Sequence, residues 1–489
     1  MNKSKLLLPL LIVFAALFSC KKDTLLTDPS AKLDFSKDTV MFDTVFTHVG
    51  SSTRQLLVYN NHTQKIKISS IALARGNSSN FRLNINGKSA RSITDVEIAA
   101  NDSLFIFVEV TVDPNNKSNP FVIVDSILFE TNGNLQYVDL VAFGQNAHFL
   151  YPTPGSLFDS VPACGTVWKN DLPYVIYGYL PILANCALTI DSGCRIYFHS
   201  NSGIIVFTGG TLKVTGALHH EVTFQGDRLE LDYREIPGQW DRIWFSNLDP
   251  NDLSHSGSPS SKDNIINYAI IKNGSIGVQC DTVYDPTNTT LTISNTIIEN
   301  MSTAGILSQG SKIVATNCVV GNCANECVAL TLGGDYNFRH CTLGNYWSLS
   351  NSQRSAPALL INNYYKTPDS IVIHRNLNAA YFGNCIIYGN LDDEVGLDFK
   401  TGAASNHYFE NVLIKKTTLS TPSANFVNLY TLDPLFKDYS NNNYQLSSGS
   451  PAINKGASTV TNQVPAIPLD INGKSRFLDA GPDLGAYEF

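Results

Sequence analysis

Asn295-Thr296-Ile297-Ile298-Glu299-Asn300 is one copy of a pattern that this chain carries six times. The other copies are Tyr268-Ala269-Ile270-Ile271-Lys272-Asn273, Asn317-Cys318-Val319-Val320-Gly321-Asn322, His340-Cys341-Thr342-Leu343-Gly344-Asn345, Asn384-Cys385-Ile386-Ile387-Tyr388-Gly389 and Asn411-Val412-Leu413-Ile414-Lys415-Lys416. In each, a small or β-branched residue is followed two positions later by an aliphatic one, and usually an asparagine stands two positions beyond that. The copies begin at 268, 295, 317, 340, 384 and 411, spaced by 27, 22, 23, 44 and 27 residues. The 44 reads as two periods or as one with an insertion.

A unit near 22 residues with strand-like alternation is too short for a pair of helices and suits one rung of a parallel β-helix, three short strands separated by turns. Strand side chains alternate between faces, so Ala269, Thr296, Cys318, Cys341, Cys385 and Val412 form one inward row and Ile271, Ile298, Val320, Leu343, Ile387 and Ile414 the next. Asn273, Asn300, Asn322 and Asn345 fall at the turn. Stacked amides there hydrogen-bond from rung to rung and satisfy buried backbone groups.

This rung length, the inward aliphatic rows and the asparagine ladder resemble the right-handed parallel β-helix of the pectin-lyase-like superfamily. That superfamily holds polysaccharide lyases, glycoside hydrolases and many non-catalytic surface proteins, so the fold alone does not settle activity. The tail has a second resemblance. Asp433-Pro434-Leu435-Phe436, Gly449-Ser450-Pro451-Ala452-Ile453-Asn454-Lys455-Gly456, Asp470-Ile471-Asn472-Gly473-Lys474-Ser475-Arg476 and Pro482-Asp483-Leu484-Gly485-Ala486-Tyr487-Glu488-Phe489 look like the C-terminal region of bacterial surface β-helix proteins with a choice-of-anchor type of domain. One departure is Asn454-Lys455, where an Asp-Ala pair is commoner. The resemblance implies a terminal rung and cover for the last strands, and a surface habit without a reaction.

Lys3 and Lys5 precede an apolar run from Leu6 to Phe18 that ends in Leu17-Phe18-Ser19-Cys20. A basic region, a short hydrophobic stretch and a small-residue cleavage site make a secretory signal, and thirteen residues are too few to span a bilayer comfortably. The Ser19-Cys20 junction resembles a bacterial lipobox, which implies lipidation at Cys20. Lys21-Lys22-Asp23 looks loosely like the export signals of Bacteroidota lipoproteins. The expected location is the outer membrane, lipid-anchored and facing the cell surface, with a periplasmic facing as the alternative.

Across 489 residues the formal net charge is −8 and only 16% of residues are charged. Without a Lys/Arg cluster, nucleic acid is not an expected partner. Setting Cys20 aside, nine of the ten cysteines lie between Cys164 and Cys385, so at least one thiol stays free; buried stacked thiols are the expectation. Cys323-x3-Cys327 lacks further ligands at zinc-finger spacing, and neither metal nor cofactor is expected.

The chain divides into a signal peptide (1–19), a lipidated tether (20–33), an immunoglobulin-like β-sandwich (34–148), the β-helix (160–430) and a C-terminal rung and cap (431–489). The sandwich rests on strand-like runs Val40 to Phe46, Gln55 to Tyr59, Ile66 to Ala72, Leu104 to Val112, Phe121 to Phe129 and Tyr137 to Ala142, separated by turn clusters. Its last strand, into Gly144-Gln145-Asn146-Ala147, resembles modules of bacterial cilia-associated and surface proteins, which serve as spacers or docking elements. Early rungs read as Ala187 to Ile190, Arg195 to Phe198, Gly203 to Phe207, Thr211 to Val214 and Glu221 to Phe224, with the amino end capped near Trp168 to Tyr179.

Chemistry is thinner. The outward row Ile270, Ile297, Val319, Thr342, Ile386 and Leu413 is aliphatic, so this face needs cover and is not an open sugar groove. The segment from Gly226 to Glu235 is the charge-rich exception. Asp227, Arg228, Glu230, Asp232 and Arg234, with Trp240 and Trp244 beyond, combine carboxylates, guanidinium groups and indoles that suit a sugar; the rival reading is a solvated insertion whose charges pair with each other, with Gly238-Gln239-Trp240 as a rung-packing motif. Asp392-Asp393-Glu394 reads as a solvated turn and His340 as a rung-to-rung hydrogen-bonding group. No catalytic residue is assigned. The function expected is a surface-anchored, non-catalytic β-helix lipoprotein that binds glycan or another extracellular ligand, with a polysaccharide or a surface protein as partner, or acts in adhesion. The alternative is a polysaccharide lyase or glycoside hydrolase on the same fold.

Overall fold

The computed structural model describes residues 24–47, 49–114, 121–152, 164–230, 233–256 except 250–251, 261–281, 288–347, 354–367, 369–416 and 424–489. Cys20 and the signal segment lie outside the described residues, as does Asp232. Two compact units divide at Asn146/Ala147. The first is a two-sheet β-sandwich, six strands over five. Alternation drives it: Phe81–Ile85 and Asp102–Val110 bury every second residue, and those side chains meet Val138, Leu140 and Ala142 of the other sheet in one core. The expected strands recur, and Phe81–Ile85 and Ser92–Ile98 join them.

The second unit is all-β, a parallel β-helix. Each rung gives two short strands to a nineteen-stranded sheet and a third to an eight-stranded one. Ile271, Ile298, Val320, Leu343, Ile387 and Ile414 are paired neighbour to neighbour through six rungs and lie in the core. Because Thr342–Asn345 pairs directly with Ile386–Gly389, the spacing of 44 is one period with an insertion, which includes the hairpin Tyr364–Lys366/Val372–His374. The region expected as an amino-terminal cap is itself a rung, Val167–Trp168, Tyr174–Ile176 and Tyr179–Ile182, and His148–Leu150 pairs on its outer side.

Left-handed residues bracket the repeated strand. Tyr268, Asn295, Asn317, His340, Asn384 and Asn411 have φ between 48° and 54° at one end, and Asn273, Asn300 and Asn322 between 51° and 65° at the other. Asparagine tolerates this region better than most residues with a Cβ. Two amide ladders result: Asn322 donates to Asn300 at 2.7 Å and Asn300 to Asn273 at 3.4 Å, while Asn317 donates to Asn295 at 3.0 Å and Asn295 to Asn267 at 2.9 Å. Asn345, expected as the fourth member of the first ladder, bonds to backbone instead, accepting from the Cys323 N–H and donating to the Asn325 carbonyl. His340 shares the second corner, with Nε2 3.0 Å from Asn384 Nδ2.

The cysteine row is chemically uniform. Cys318, Cys341 and Cys385 each direct the thiol to the carbonyl two residues earlier, at 3.3, 3.4 and 3.3 Å, the same bond that the Thr296 hydroxyl makes at 2.7 Å. In the four middle rungs this inward position takes a small donor, and in the outer two, Ala269 and Val412, a small apolar residue. One disulfide, Cys164–Cys186, joins consecutive rungs across 22 residues; the seven other described cysteines are free and buried.

The tail departs from the expectation of a terminal rung. The stack ends at Phe426–Tyr430, and beyond it the chain turns back along the side of the β-helix. Phe436, Tyr444, Leu446, Ala452, Ile471, Leu484, Ala486 and Tyr487 bury the outward row at Val319, Ile386 and Leu413. Hydrogen bonds fix the path: Asn317 donates to the Leu469 carbonyl, the Gly485 N–H to Asn384, and the Ala486 N–H to the Thr342 hydroxyl. The outward aliphatic row is therefore covered, by this chain's own last residues.

Tyr444 needs a flat floor. A Cβ at Gly344 would stand 2.4 Å from its ring, and one at Gly321 2.5 Å. Gly344→Ala is expected to cost about 1–3 kcal/mol through overpacking, and to speed amide exchange in 436–446 and 484–487 while the inner rungs keep their protection. Hydrogen-exchange mass spectrometry reads this directly, and unchanged exchange in the tail would refute the docking role.

Candidate functional site

The charged segment does not form one site. Asp227 accepts from His199 Nδ1 at 2.7 Å. Arg228 Nε reaches both oxygens of Glu230 at 3.1 Å and its guanidinium lies over the Tyr233 ring, 4.0 Å from the centroid. Arg234 approaches Glu235 at 3.9 Å, and Lys272 reaches the same carboxylate at 3.2 Å. The described charges of the loop thus pair with one another or with neighbours. Trp240 is not at the surface at all. It is 1% exposed, stacks on Phe198 at 4.3 Å and donates Nε1 to the Lys272 carbonyl, so its indole packs inside the β-helix and is unavailable to a ligand. The acidic run 392–394 is also corrected at one residue: Glu394 is fully buried in a two-pronged pair with Arg354, at 2.5 and 2.9 Å, and is not part of a solvated turn.

Trp244 is placed differently. In Ile243–Ser246, Ile243 and Phe245 enter the core, so Trp244 points outward from the eight-stranded sheet. Its Nε1 donates to Asp281 Oδ2 at 2.9 Å, and Gln279 Nε2 donates to the same oxygen at 2.5 Å. Arg242 links onward: Nη1 donates to Gln279 Oε1, and Nε and Nη2 to Asp241 Oδ1 at 2.9 and 2.8 Å. The Tyr179 hydroxyl completes the chain on Asp241 Oδ2. Across four rungs, with the Gly203–Val206 strand passing between Tyr179 and Arg242, this outward face thereby holds two carboxylates, a guanidinium, an amide, a phenol and an indole. Burial raises the Asp281 pKa, and its Oδ1 is buried without a partner among the described residues.

An aromatic corner adjoins this face. Tyr151, Tyr177, His199 and Asp227 each follow the last residue of a strand, in rungs that pair in register. Tyr151 stacks on Tyr177 at 4.8 Å and Tyr177 meets His199 at 4.6 Å with the rings tilted by 31°, and the ladder ends in the His199–Asp227 bond. Tyr177 and Tyr179 flank Gly178, so corner and face are continuous along the chain.

Of the residues expected to bind, the structure groups Arg228 with Glu230, Asp227 with His199 and Trp244 with Asp281. Tyr177, Tyr179, His199, Gln279 and Asp281 were missed by sequence reasoning. Tyr179 and Asp241 are 62 residues apart and Trp244 and Asp281 are 37 apart, well beyond one 22-residue period, so the repeat could not align them. Among the described residues no three His, Cys, Asp or Glu side chains converge to hold a metal.

Hydrogen bonding to Asp227 raises the His199 pKa. A histidine that gains its partner on folding stabilises the fold fully below its ordinary pKa of about 6.5, and that contribution fades as the pH rises through the raised value. An NMR titration of the His199 imidazole should show a midpoint above 6.5, moving down in Asp227→Asn. An unchanged midpoint in that variant would remove the pairing from the account.

No protein-family model matches the chain, and no curated protein matches it. Among solved structures, similarity extends to a family 123 glycoside hydrolase from Clostridium perfringens, at 10% identity over 24% of this chain and 27% of the other, with a TM-score of 0.17. The catalytic unit of a thermostable GH87 α-1,3-glucanase from Streptomyces thermodiastaticus is 13% identical over 78% of this chain and 89% of its own, at a TM-score of 0.27. The pectate lyase Pel9A is 11% identical over 70% and 96%, at 0.28. This chain therefore spans about a quarter of the length of the family 123 enzyme, and the activities named belong to those proteins.

Proposed function

We propose that this chain is a surface-anchored, non-catalytic lipoprotein whose β-helix binds glycan through the outward face centred on Trp244. The observation that carries the reading is the continuous hydrogen-bonded run Tyr179–Asp241–Arg242–Gln279–Asp281–Trp244. Planar polar groups held rigid beside a half-buried indole match the mixed polar and apolar surface of a sugar, and little side-chain freedom is left to lose on binding. The corner ladder ends on Asp227, which makes Asp227, Arg228 and Glu230 the rim of this face; Asp232 lies outside the described residues. Lipidation at Cys20 and an outer-membrane, surface-facing location follow from the amino-terminal sequence, and the sandwich serves as a spacer.

A lyase or hydrolase is the second reading, and Asp281 favours it: a carboxyl whose pKa burial raises is disposed to donate a proton. One assay separates the two. The purified chain is screened against acidic and neutral polysaccharides, recording retention together with the release of reducing or unsaturated ends. Retention without new ends is the expected result, and Trp244→Ala is expected to weaken it at least tenfold, about 1.4 kcal/mol. Release of ends that disappears in Asp281→Asn would establish the enzyme reading in its place, and undiminished retention in Trp244→Ala would move the binding site elsewhere.

A further inference from the structure

A second place on the β-helix carries donors without acceptors. The inserted hairpin Tyr364–Lys366/Val372–His374 returns to the stack through Arg375, and there a cleft of about 400 Å³ opens, lined by residues that include Gly310, Gly334, His374, Arg375, Asn376 and Asn378. The glycines make its floor. The Arg375 guanidinium lies over Gly310, where an added Cβ would stand 3.1 Å from Nη1, and Gly334 has φ +120° with the Tyr336 hydroxyl only 2.4 Å from where a Cβ would be. Side chains at either position would close the space.

No carboxylate lines this cleft, and among the described residues none pairs with Arg375. Arg228, Arg242, Arg354 and Arg476 each have a carboxylate partner, and Arg339, which has none, is held by backbone carbonyls. Asn376 Oδ1 already accepts from the Ala404 N–H, which leaves its Nδ2 as the free end. Arginine, two amides and an imidazole with no competing acid present a set of N–H donors, those of His374, Arg375 and Asn376 open to water, and an oxyanion is the group that suits them best; the guanidinium fork matches a carboxylate or sulfate in two-pronged fashion. We propose that this cleft is an oxyanion site, taking the carboxylate or sulfate of an acidic saccharide or a free inorganic anion. It rests on residues separate from the Trp244 face.

The test is equilibrium binding of the purified full chain to a glucuronate oligosaccharide, to its carboxyl-reduced counterpart and to inorganic sulfate, at low and high salt. Binding of the glucuronate probe, at least tenfold weaker for the reduced sugar and weaker at high salt, is expected. Arg375→Gln and Asn378→Asp, both changes at the cleft surface, should each lower that affinity about tenfold with the melting temperature unchanged. Sulfate binding with no gain for the oligosaccharide would support the site and assign it to free anions. Failure of all probes to bind, equal binding of the reduced sugar by a Trp244→Ala chain, or an unaltered affinity in Arg375→Gln would overturn the proposal. Retention of a neutral glycan reads the Trp244 face separately, so either site can fail without the other.

Discussion

Stacking one rung on the next at about 4.8 Å means that each residue packs first against its own counterpart a period away, and the rest of the second unit follows from that. An inward position must suit a column of itself. Ile271, Ile298, Val320, Leu343, Ile387 and Ile414 do so as aliphatics, while Thr296, Cys318, Cys341 and Cys385 do so because each carries a small donor that reaches the carbonyl two residues back. The buried thiols are thus hydrogen-bonding side chains of minimal size, and disulfides between them are unnecessary. Polar residues survive at the corners for a related reason. An amide has both a donor and an acceptor, so a column of amides satisfies itself internally, which a column of carboxylates or ammonium groups cannot do.

The same repetition creates a problem on the outside, because a row such as Ile297, Val319, Ile386 and Leu413 is as apolar as the core. The tail resolves it by lying across the row, and a polar knot fixes its end. Arg476 is fully buried, donating to Glu488 at 2.6 Å and to Asn317 Oδ1 at 2.8 Å. Asp470 accepts from the Asn472, Lys474 and Glu488 N–H groups, and Asp483 from those of Asn454 and Phe489. Burial pushes the Glu488 pKa up to about 7, so this knot is not a source of strong ionic stabilisation. Its contribution is specificity: charges that would be unpaired in any other seating hold one register of the tail against the ladder. The Asp470 to Arg476 and Asp483 to Glu488 motifs are two halves of one lock.

Periodic features were legible from the residues, and features that depend on insertions were not. Inward rows, corner asparagines and most early strands could be placed because each is repeated, and a period-two pattern read six times is hard to mistake. Trp240 admits two readings, an indole of the charged segment and part of a rung-packing stretch Gly238-Gln239-Trp240, and its place in the core beside Phe198 bears out the second. Strand parity cannot be carried through a turn, so the residues alone do not choose between them. Glu394 misled, since its partner Arg354 lies 40 residues away on the far side of an inserted segment. The tail's composition pointed to cover, yet its path depends on two glycines, Gly321 and Gly344, whose meaning appears only once Tyr444 is seen resting on them.

The Trp244 face and the Arg375 cleft differ in one electrostatic respect that bears on what each can recognise. On the face, the guanidinium of Arg242 is neutralised by Asp241 and the indole N–H is held by Asp281, so a ligand meets a surface whose strongest donors already have acceptors. Such a surface favours neutral hydroxyl-rich molecules, which exchange weak hydrogen bonds with little desolvation penalty. In the cleft the donors have no carboxylate acceptor among the described residues and face water, so an anion that enters exchanges solvent for charge-assisted hydrogen bonds. The whole chain carries a formal charge of −8, so long-range attraction does not bring an anion there. Its selectivity must come from short-range geometry at Arg375, which an insertion delivers to a glycine floor.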